Sequence, residues 1–492
     1  MAQDLDQRQG AATTPVTRLL VASVVLATVS LLLPSTITFD PLTWATWARE
    51  IVHLRLDTAG GPAWKPLPVV VDVLFAPFGH VEEWAWLVVA RAGGLLSVAM
   101  AYRLARRLAG RWAGAIAAVG MLLSAAFLEY LTPLGMSEPL LAGLALLAVE
   151  RHLDGEHNLA YGLIFAALLL RPEAFPFFLG YSLFLWRRSP RSRPWILSLV
   201  ALLPVLWLLP DYLSTGDWLR STRRAAQPTQ GGPLLTDVPA AAVLESAFNA
   251  VVLPIVVGAV LAMGFAVAGF RKRHQEAALL ALSLLCVSWL VEVALETQAA
   301  LGSGDQRYLI VSVALSCVLA GVGWAGLVTA ASSAVKRWAP SAGEKAARVA
   351  VIVVVVLASA PFVVQRVDEL SASLGEIPYW AHKNGELATL IDRAGGRDRI
   401  LACAPLTSDI YQMPALAWEL GIHQSQIVIA AGPKGTPLQG SVIGTPPTGT
   451  VFRTRTTRES PLLPPSLGSP AFQVVATTPQ WQVLGTCGGP PP

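Results

Sequence analysis

The residues of this sequence best suited to acid–base and anion chemistry are Asp40, Glu50, Lys65, Glu138, Arg171 and Arg307, all placed at or near the ends of apolar runs. A carboxylate can take the proton of an attacking hydroxyl, and cations can stabilise an anion as it departs. Asp40 opens Asp40-Pro41-Leu42-Thr43-Trp44-Ala45-Thr46-Trp47-Ala48-Arg49-Glu50, and the loop continues to Trp64-Lys65-Pro66-Leu67-Pro68. Each residue also has a plain structural reading. An Asp before Pro is a helix N-cap with Pro at the first helical position. The helix dipole keeps such a carboxylate ionised, so capping does not exclude a role as base. Lys65 reads equally as a solvated interfacial cation, Glu138 in Ser137-Glu138-Pro139 as a first-turn acid, and Arg171 in Arg171-Pro172-Glu173 as a snorkelling side chain. The cluster Arg220, Arg223 and Arg224 reads as a solvated or headgroup-facing surface. Arg91 and Glu292 interrupt apolar runs, where an unpaired charge is expensive, so each is expected to have a partner of opposite charge.

The elements that must position these residues are membrane spans. The chain is 54% hydrophobic and 14% charged, with a mean hydropathy of +0.54, too apolar for disorder or for one soluble core. At roughly 20 residues per span, the apolar runs supply about eleven helices. The net charge of +4 is small and the basic residues fall in short clusters between runs, which describes membrane topology and no nucleic-acid partner. The first run, Leu19 to Phe39, lacks a cleavage site and reads as an uncleaved span. Asn158 to Trp186 reads as two short helices joined at Arg171, since one long helix would invert the basic loops that follow. The expected organisation is mainly α: a cytoplasmic N-terminus (1–18), a membrane region (19–364) whose first outer loop is 40–83, and a small extracytoplasmic α/β domain (365–492). Within that domain Gly385 to Arg393 has a helical pattern, while Arg399 to Ala404 and Gln426 to Ala431 look like strands. In the loop, Trp44, Trp47, Ile51 and Leu54 recur at helical spacing with Thr43, Thr46, Arg49, Glu50 and His53 off the stripe, predicting a helix lying along the membrane interface. Cys403 and Cys487 both fall in the outer domain, where an oxidising compartment allows a disulfide. Cys286 and Cys317 lie in spans as small apolar residues.

No Walker loop, HExxH, GxSxG or CxxC occurs, and the only DxD, Asp4-Leu5-Asp6, sits in the polar N-terminal tail. Cytosolic nucleotide chemistry therefore has little support.

Asp40 followed by Arg49-Glu50, then the Lys65-Pro66-Leu67-Pro68 stretch, then Arg91 leading to Leu104-Ala105-Arg106-Arg107-Leu108-Ala109-Gly110, resembles the N-terminal half of the polytopic GT-C glycosyltransferases. The likeness is to the aminoarabinose transferases and protein O-mannosyltransferases, covers roughly residues 19 to 190, and returns at Arg307-Tyr308. Pro41 stands where those families carry a second acid, and Leu67 interrupts their double proline. The resemblance implies a polyprenyl-phosphate sugar donor, a glycan, lipid or protein acceptor, and inverting transfer at the outer face of a bacterial plasma membrane, within the cell envelope. It makes Asp40 the base, with Glu138 and Glu50 as further candidate acids. Lys65, Arg49, Arg91, Arg171, Arg307 and Tyr308 become substrate-binding candidates. No cofactor is implied, and a divalent metal is left open. Because a phosphate leaves as an anion, one base suffices, unlike glycoside hydrolysis. The rival reading is a transporter or flippase of an envelope precursor, with Arg91 and Glu292 on its path.

Overall fold

Each apolar run is helical over most of its length in the computed structural model, which describes residues 15–229, 231–269, 274–338, 344–430, 447–455, 457–464 and 472–487. The molecule is a mainly helical membrane protein with a small C-terminal sheet. Among the described residues, five helices are long and apolar enough to cross a membrane, or six when the bent pair Pro239–Asn249 and Leu253–Gly269 is taken as one span. The runs read as spans also include shorter apolar helices such as Arg111–Leu122 and His157–Leu168.

Sequence chemistry explains the breaks. Val16–Val29 gives way to a 3₁₀ turn at Ser30–Leu32 and an extended segment, ending the first run early. Between His157–Leu168 and Phe175–Arg188 the chain is extended at Arg171, and Pro172 opens a 3₁₀ turn, Pro172–Ala174. Proline has no N–H to continue the preceding ladder, so the polypeptide divides there into two helices.

The helix Phe39–Val52 departs from the expected interfacial helix. Trp44, Trp47 and Ala48 pack with Trp64, Val69 and Trp86, while Leu42 and Ala45 belong to a second apolar core shared with Leu416, Trp418, Ile427 and Trp481 of the C-terminal part. Thr43, Thr46 and Glu50, expected on a solvated face, are buried. The reason is the C-terminal part itself, which covers the face that sequence spacing leaves open to water.

That part hangs from one 50-residue helix, Glu344–Arg393, with Pro361 and Pro378 inside it. Its strands are β1 (Leu406–Ser408), β2 (Ile427–Ile429), β3 (Thr450–Arg455), β4 (Leu462–Leu463), β5 (Gln473–Thr477) and β6 (Trp481–Gly485). They form a mixed sheet in the order β2-β1-β3-β6-β5, with β4 on β3; β1 runs parallel to β2 and β3, and β6 antiparallel to β3 and β5. The run Arg399 to Ala404 is not a strand, because Arg397–Ala402 forms a short helix behind Gly396 and the first strand starts at Leu406. Of the run Gln426 to Ala431, Ile427–Ile429 is strand and residue 431 lies outside the described residues. Cys403 and Cys487 are disulfide-bonded, tying the start of this sheet region to the end of β6. Cys286 and Cys317 are free and buried.

Candidate active site

Five helical segments begin at one place, and each brings a charged residue. Asp40 lies in the first turn of Phe39–Val52, Lys65 precedes Pro66–Phe75, and Glu138 is the first residue of Glu138–Leu153. Arg171 precedes the turn Pro172–Ala174, and Arg307 lies in the 3₁₀ turn Gln306–Leu309 that leads into Ile310–Trp338. The unsatisfied N–H groups and dipoles of helix N-termini favour anions, so this convergence stabilises the two acids and also suits an anionic ligand.

The side chains meet. Lys65 Nζ lies 3.1 Å from Glu138 Oε1 and 3.7 Å from Asp40 Oδ2, and donates to Ser137 Oγ at 3.2 Å. Arg171 donates to the same Glu138 oxygen through Nη2, and Arg307 Nη1 donates to Asp40 Oδ2 at 2.8 Å. Tyr308 joins the group through its ring, with the Arg171 guanidinium 3.8 Å from the ring centroid and that of Arg307 5.7 Å away. Three cations thus share two carboxylates at the centre, with Glu173 and Asp305 at 3.6 and 3.8 Å on the periphery. Asp40, Lys65, Glu138 and Arg171 are all buried, yet Glu138 Oε2, Arg171 Nε and Arg307 Nε have no hydrogen-bond partner among the described residues. Buried orphan groups are costly, and a ligand is one way to satisfy them.

Burial alone would raise the Asp40 carboxyl, but Arg307 and Lys65 outweigh it and hold it below its ordinary value. Glu138 is likewise raised by burial and more than compensated by Lys65, Arg171 and Arg307. Lys65 moves the other way: burial and the neighbouring Arg171 pull its ammonium down to about 8, against the attraction of Glu138 and Asp40.

The capping reading of Asp40 fails, since Thr38 occupies the cap position and the Asp40 carboxylate is turned toward Arg307 and Lys65. The solvated reading of Lys65 and the snorkelling reading of Arg171 fail as well, both being buried in the cluster. Three candidates are not in the cluster. Arg49 and Glu50 face the C-terminal part: Arg49 donates to the carbonyls of Trp418 and Ala417 at 2.9 and 3.2 Å, and Glu50 Oε1 lies 2.8 Å from His423 Nδ1. Among the described residues no acid pairs with Arg91, which donates to the carbonyls of Ser30 and Pro133 and to the Ser30 hydroxyl. Nor, among the described residues, does an arginine pair with Glu292, whose Oε2 has no hydrogen-bond partner there.

Sequence reading missed a clasp that fixes the Lys65 loop. Arg220 donates to the carbonyls of Pro62, Gly60, Gly61 and Ala59, Arg224 to that of Gly61, and Ser221 Oγ accepts from Trp64 N. The expected solvated face is therefore a mould for residues 59–64. Gly60 permits close approach, because a Cβ there would stand 2.7 Å from Ser425 N. Asp72 was missed too, although an acid in Val69-Val70-Val71-Asp72-Val73 signals its own burial. Among the described residues no three or more His, Cys, Asp or Glu side chains gather as a metal site.

No protein-family model and no curated protein matches this chain. Solved structures do: ArnT from Cupriavidus metallidurans bound to undecaprenyl phosphate aligns at 15% identity over 98% of this chain and 100% of its own, with a TM-score of 0.53. The same protein in the apo state aligns at 14% identity over 96% and 97%, again at 0.53. At such low identity the likeness concerns architecture alone, and in architecture the chain is similar to ArnT, in line with the resemblance carried by Asp40 to Pro68.

Proposed function

We propose that the chain is a membrane glycosyltransferase that moves a sugar from a polyprenyl-phosphate donor to a hydroxyl of a cell-envelope acceptor, with inversion, at the outer face of a bacterial plasma membrane. The observation that carries this reading is the buried meeting of Asp40, Lys65, Glu138, Arg171 and Arg307 at converging helix N-termini. The likeness to a protein solved with undecaprenyl phosphate supports it.

In the proposed reaction the donor phosphate approaches Lys65, Arg171 and Arg307, whose positive charge stabilises the bond-breaking state as negative charge grows on the leaving oxygen. The acceptor oxygen forms the new bond to the anomeric carbon while its proton passes to Asp40. The carbon–oxygen bond to phosphate breaks, and the lipid phosphate leaves as an anion. Asp40 suits the base better than Glu138, because Glu138 is held by two cations at hydrogen-bonding range and Asp40 by one. Glu138 sets Lys65 beside Arg171. A carboxylate paired with Arg307 is a weak base, but a donor phosphate competes for Arg307 and Lys65, so the arriving donor makes Asp40 more basic. Arg49 and Glu50 act at a distance, fastening the C-terminal part over the loop.

The test is transfer by the purified protein in lipid, using a panel of radiolabelled polyprenyl-phosphate sugars. Consumption of one donor, abolished by Asp40→Asn and Lys65→Ala, supports the reading. If no donor is consumed while vesicles carrying the protein move a solute, a transporter replaces it.

A further inference from the structure

A second concavity lies across the helix Phe39–Val52 from the ion cluster. Leu42 lines it, whereas Asp40, two residues earlier, points into the cluster; at 100° per residue those positions stand about 200° apart. The cavity has a volume of about 270 Å³ and sits in the seam between the membrane helices and the C-terminal part. Its polar lining includes Glu83, Glu419, Asn384 and His80, its aromatic walls are Trp84 and Trp418, and no lysine or arginine lines it.

Among the described residues, no lysine or arginine makes a direct ion pair with the acids on this side of the helix; Arg49 acts on Glu82 and Glu419 only through space. Among the described residues Glu83 has a single close partner, His80 Nδ1 at 3.0 Å. That same nitrogen stands 3.3 Å from Trp418 Nε1, which can only donate. One imidazole nitrogen cannot accept from Trp418 and donate to Glu83 together, so one of the two contacts goes unmade. In the neighbouring helices Pro66–Phe75 and Val81–Ala109, Asp72 and Glu82 are fully buried, and none of their four oxygens has a hydrogen-bond partner among the described residues. Arg49, stacked 4.7 Å over Trp418, gives its hydrogen bonds to main-chain carbonyls, and its charge reaches Glu82 and Glu419 only through space. Beside the cavity, Leu33, Phe78 and Val81 are exposed apolar side chains, and Val81 opens a helix long enough to cross the membrane. The surroundings therefore combine carboxylates and indole faces, both of which attract a cation, with a rim suited to acyl chains.

We propose that this cavity binds the primary ammonium headgroup of a membrane lipid, of the phosphatidylethanolamine class. The ammonium donates to Glu83 and Glu419, the Asn384 carbonyl oxygen is a third acceptor, and Trp84 and Trp418 flank the charge. The lipid phosphate stays at the mouth and the chains lie along the exposed apolar rim. Seated there, the lipid joins the turn at His80 to the helix Met413–Leu420, and so ties the C-terminal part to the membrane helices.

The site is independent of sugar transfer and is tested without it. The full-length protein is placed in nanodiscs of phosphatidylglycerol containing equal minor amounts of phosphatidylethanolamine and phosphatidylcholine, and lipids retained after release are read by native mass spectrometry. Phosphatidylethanolamine should be retained about tenfold over either of the others, since only it combines positive charge with N–H donors for carboxylates. Glu419→Gln and the double variant Glu83→Gln/Glu419→Gln should reduce that preference stepwise toward equality, with thermal unfolding in detergent confirming that each variant is folded. Equal retention of the three lipids by the wild type, or an unchanged preference in a folded double variant, overturns the proposal. Displacement of the lipid by glucosamine, but not by ethanolamine, would assign the cavity to an amino sugar and overturn the lipid reading.

Discussion

Asp40 is surrounded by the cations its proposed substrate would claim, and its variants should reveal that competition. Asp40→Asn should lower transfer by about 10²- to 10⁴-fold, the usual contribution of a general base, while undecaprenyl phosphate binds no more weakly and, with a negative charge removed beside Lys65 and Arg307, several-fold more tightly. Equilibrium binding with labelled lipid phosphate, measured beside turnover, checks both halves; weaker binding would make Asp40 a scaffold for Arg307. Lys65 sets the alkaline limit. Its ammonium is pulled down to about 8, so it is charged below that pH and neutral above, and kcat/KM for the donor should fall as pH rises through about 8. Lys65→Arg should remove that limb at some cost in rate, because a guanidinium stays protonated there. Most of this cluster was legible in residue types and in the resemblance: Asp40, Lys65, Glu138, Arg171, Arg307 and Tyr308 meet. Arg49 and Glu50 do not: Glu50 stands about 15 Å further along the helix, and for Arg49 the reason is one that spacing contains but does not announce. Nine residues at 100° each place Arg49 about 180° from Asp40, on the opposite face of one helix.

Between helix and sheet, the C-terminal part is fastened by a shared apolar core and by polar contacts, of which those of Arg49 carry charge. Arg49 reaches two successive carbonyls at the end of Met413–Leu420, and charged hydrogen bonds of this kind contribute about 1.5–3 kcal/mol. Arg49→Ala should therefore speed amide exchange in Met413–Leu420 without unfolding the membrane helices, and Arg49→Lys should repair it only in part, since a point charge cannot reproduce the fork. Exchange read by mass spectrometry distinguishes the two; unchanged protection in Arg49→Ala would mean that the shared apolar core suffices alone. Membrane helices were readable from apolar runs because in lipid the backbone has almost no alternative. The burial of Phe39–Val52 was not readable, because its cover arrives from residues some 370 positions away, as in the contact of Thr43 with Gln424, |i−j| = 381. The error at Arg399 to Ala404 has a local origin: six residues of mixed apolar and basic character fit either period, and Gly396 in the left-handed region (φ 82) turns the chain for a helix start.

For the molecule as a whole, the proposed orientation is checked by placing a cysteine at Asp398, whose side chain is almost fully exposed. Asp398→Cys should react with an impermeant maleimide on intact cells, and reaction only after lysis would invert the topology. Reducing Cys403–Cys487, which spans 84 positions, should destabilise the sheet region by roughly 4–5 kcal/mol on loop-closure grounds, visible as earlier proteolysis there while the membrane helices resist. The C-terminal part packed on the helix of Asp40 is joined to the membrane region through Glu344–Arg393, and the length of that helix has a mechanical meaning. Fifty residues at 1.5 Å make a rod of about 75 Å, against a hydrocarbon thickness of about 30 Å. More than half of it extends beyond that thickness, tied to the rest of the molecule by Arg366 to Glu129, by Asn384 to Thr36 and by the buried Leu387 and Leu390. Helices answer a thicker or thinner bilayer by changing tilt, and a swing of about 10° at the base would displace the tip of an unrestrained arm of about 45 Å by about 8 Å. Contacts such as Arg49 to Trp418 and His423 to Glu50 must yield or hold against that displacement. The acyl-chain length of the host membrane thus becomes a mechanical input to the grip on the loop that carries Asp40 and Lys65, felt through a helix that touches neither residue.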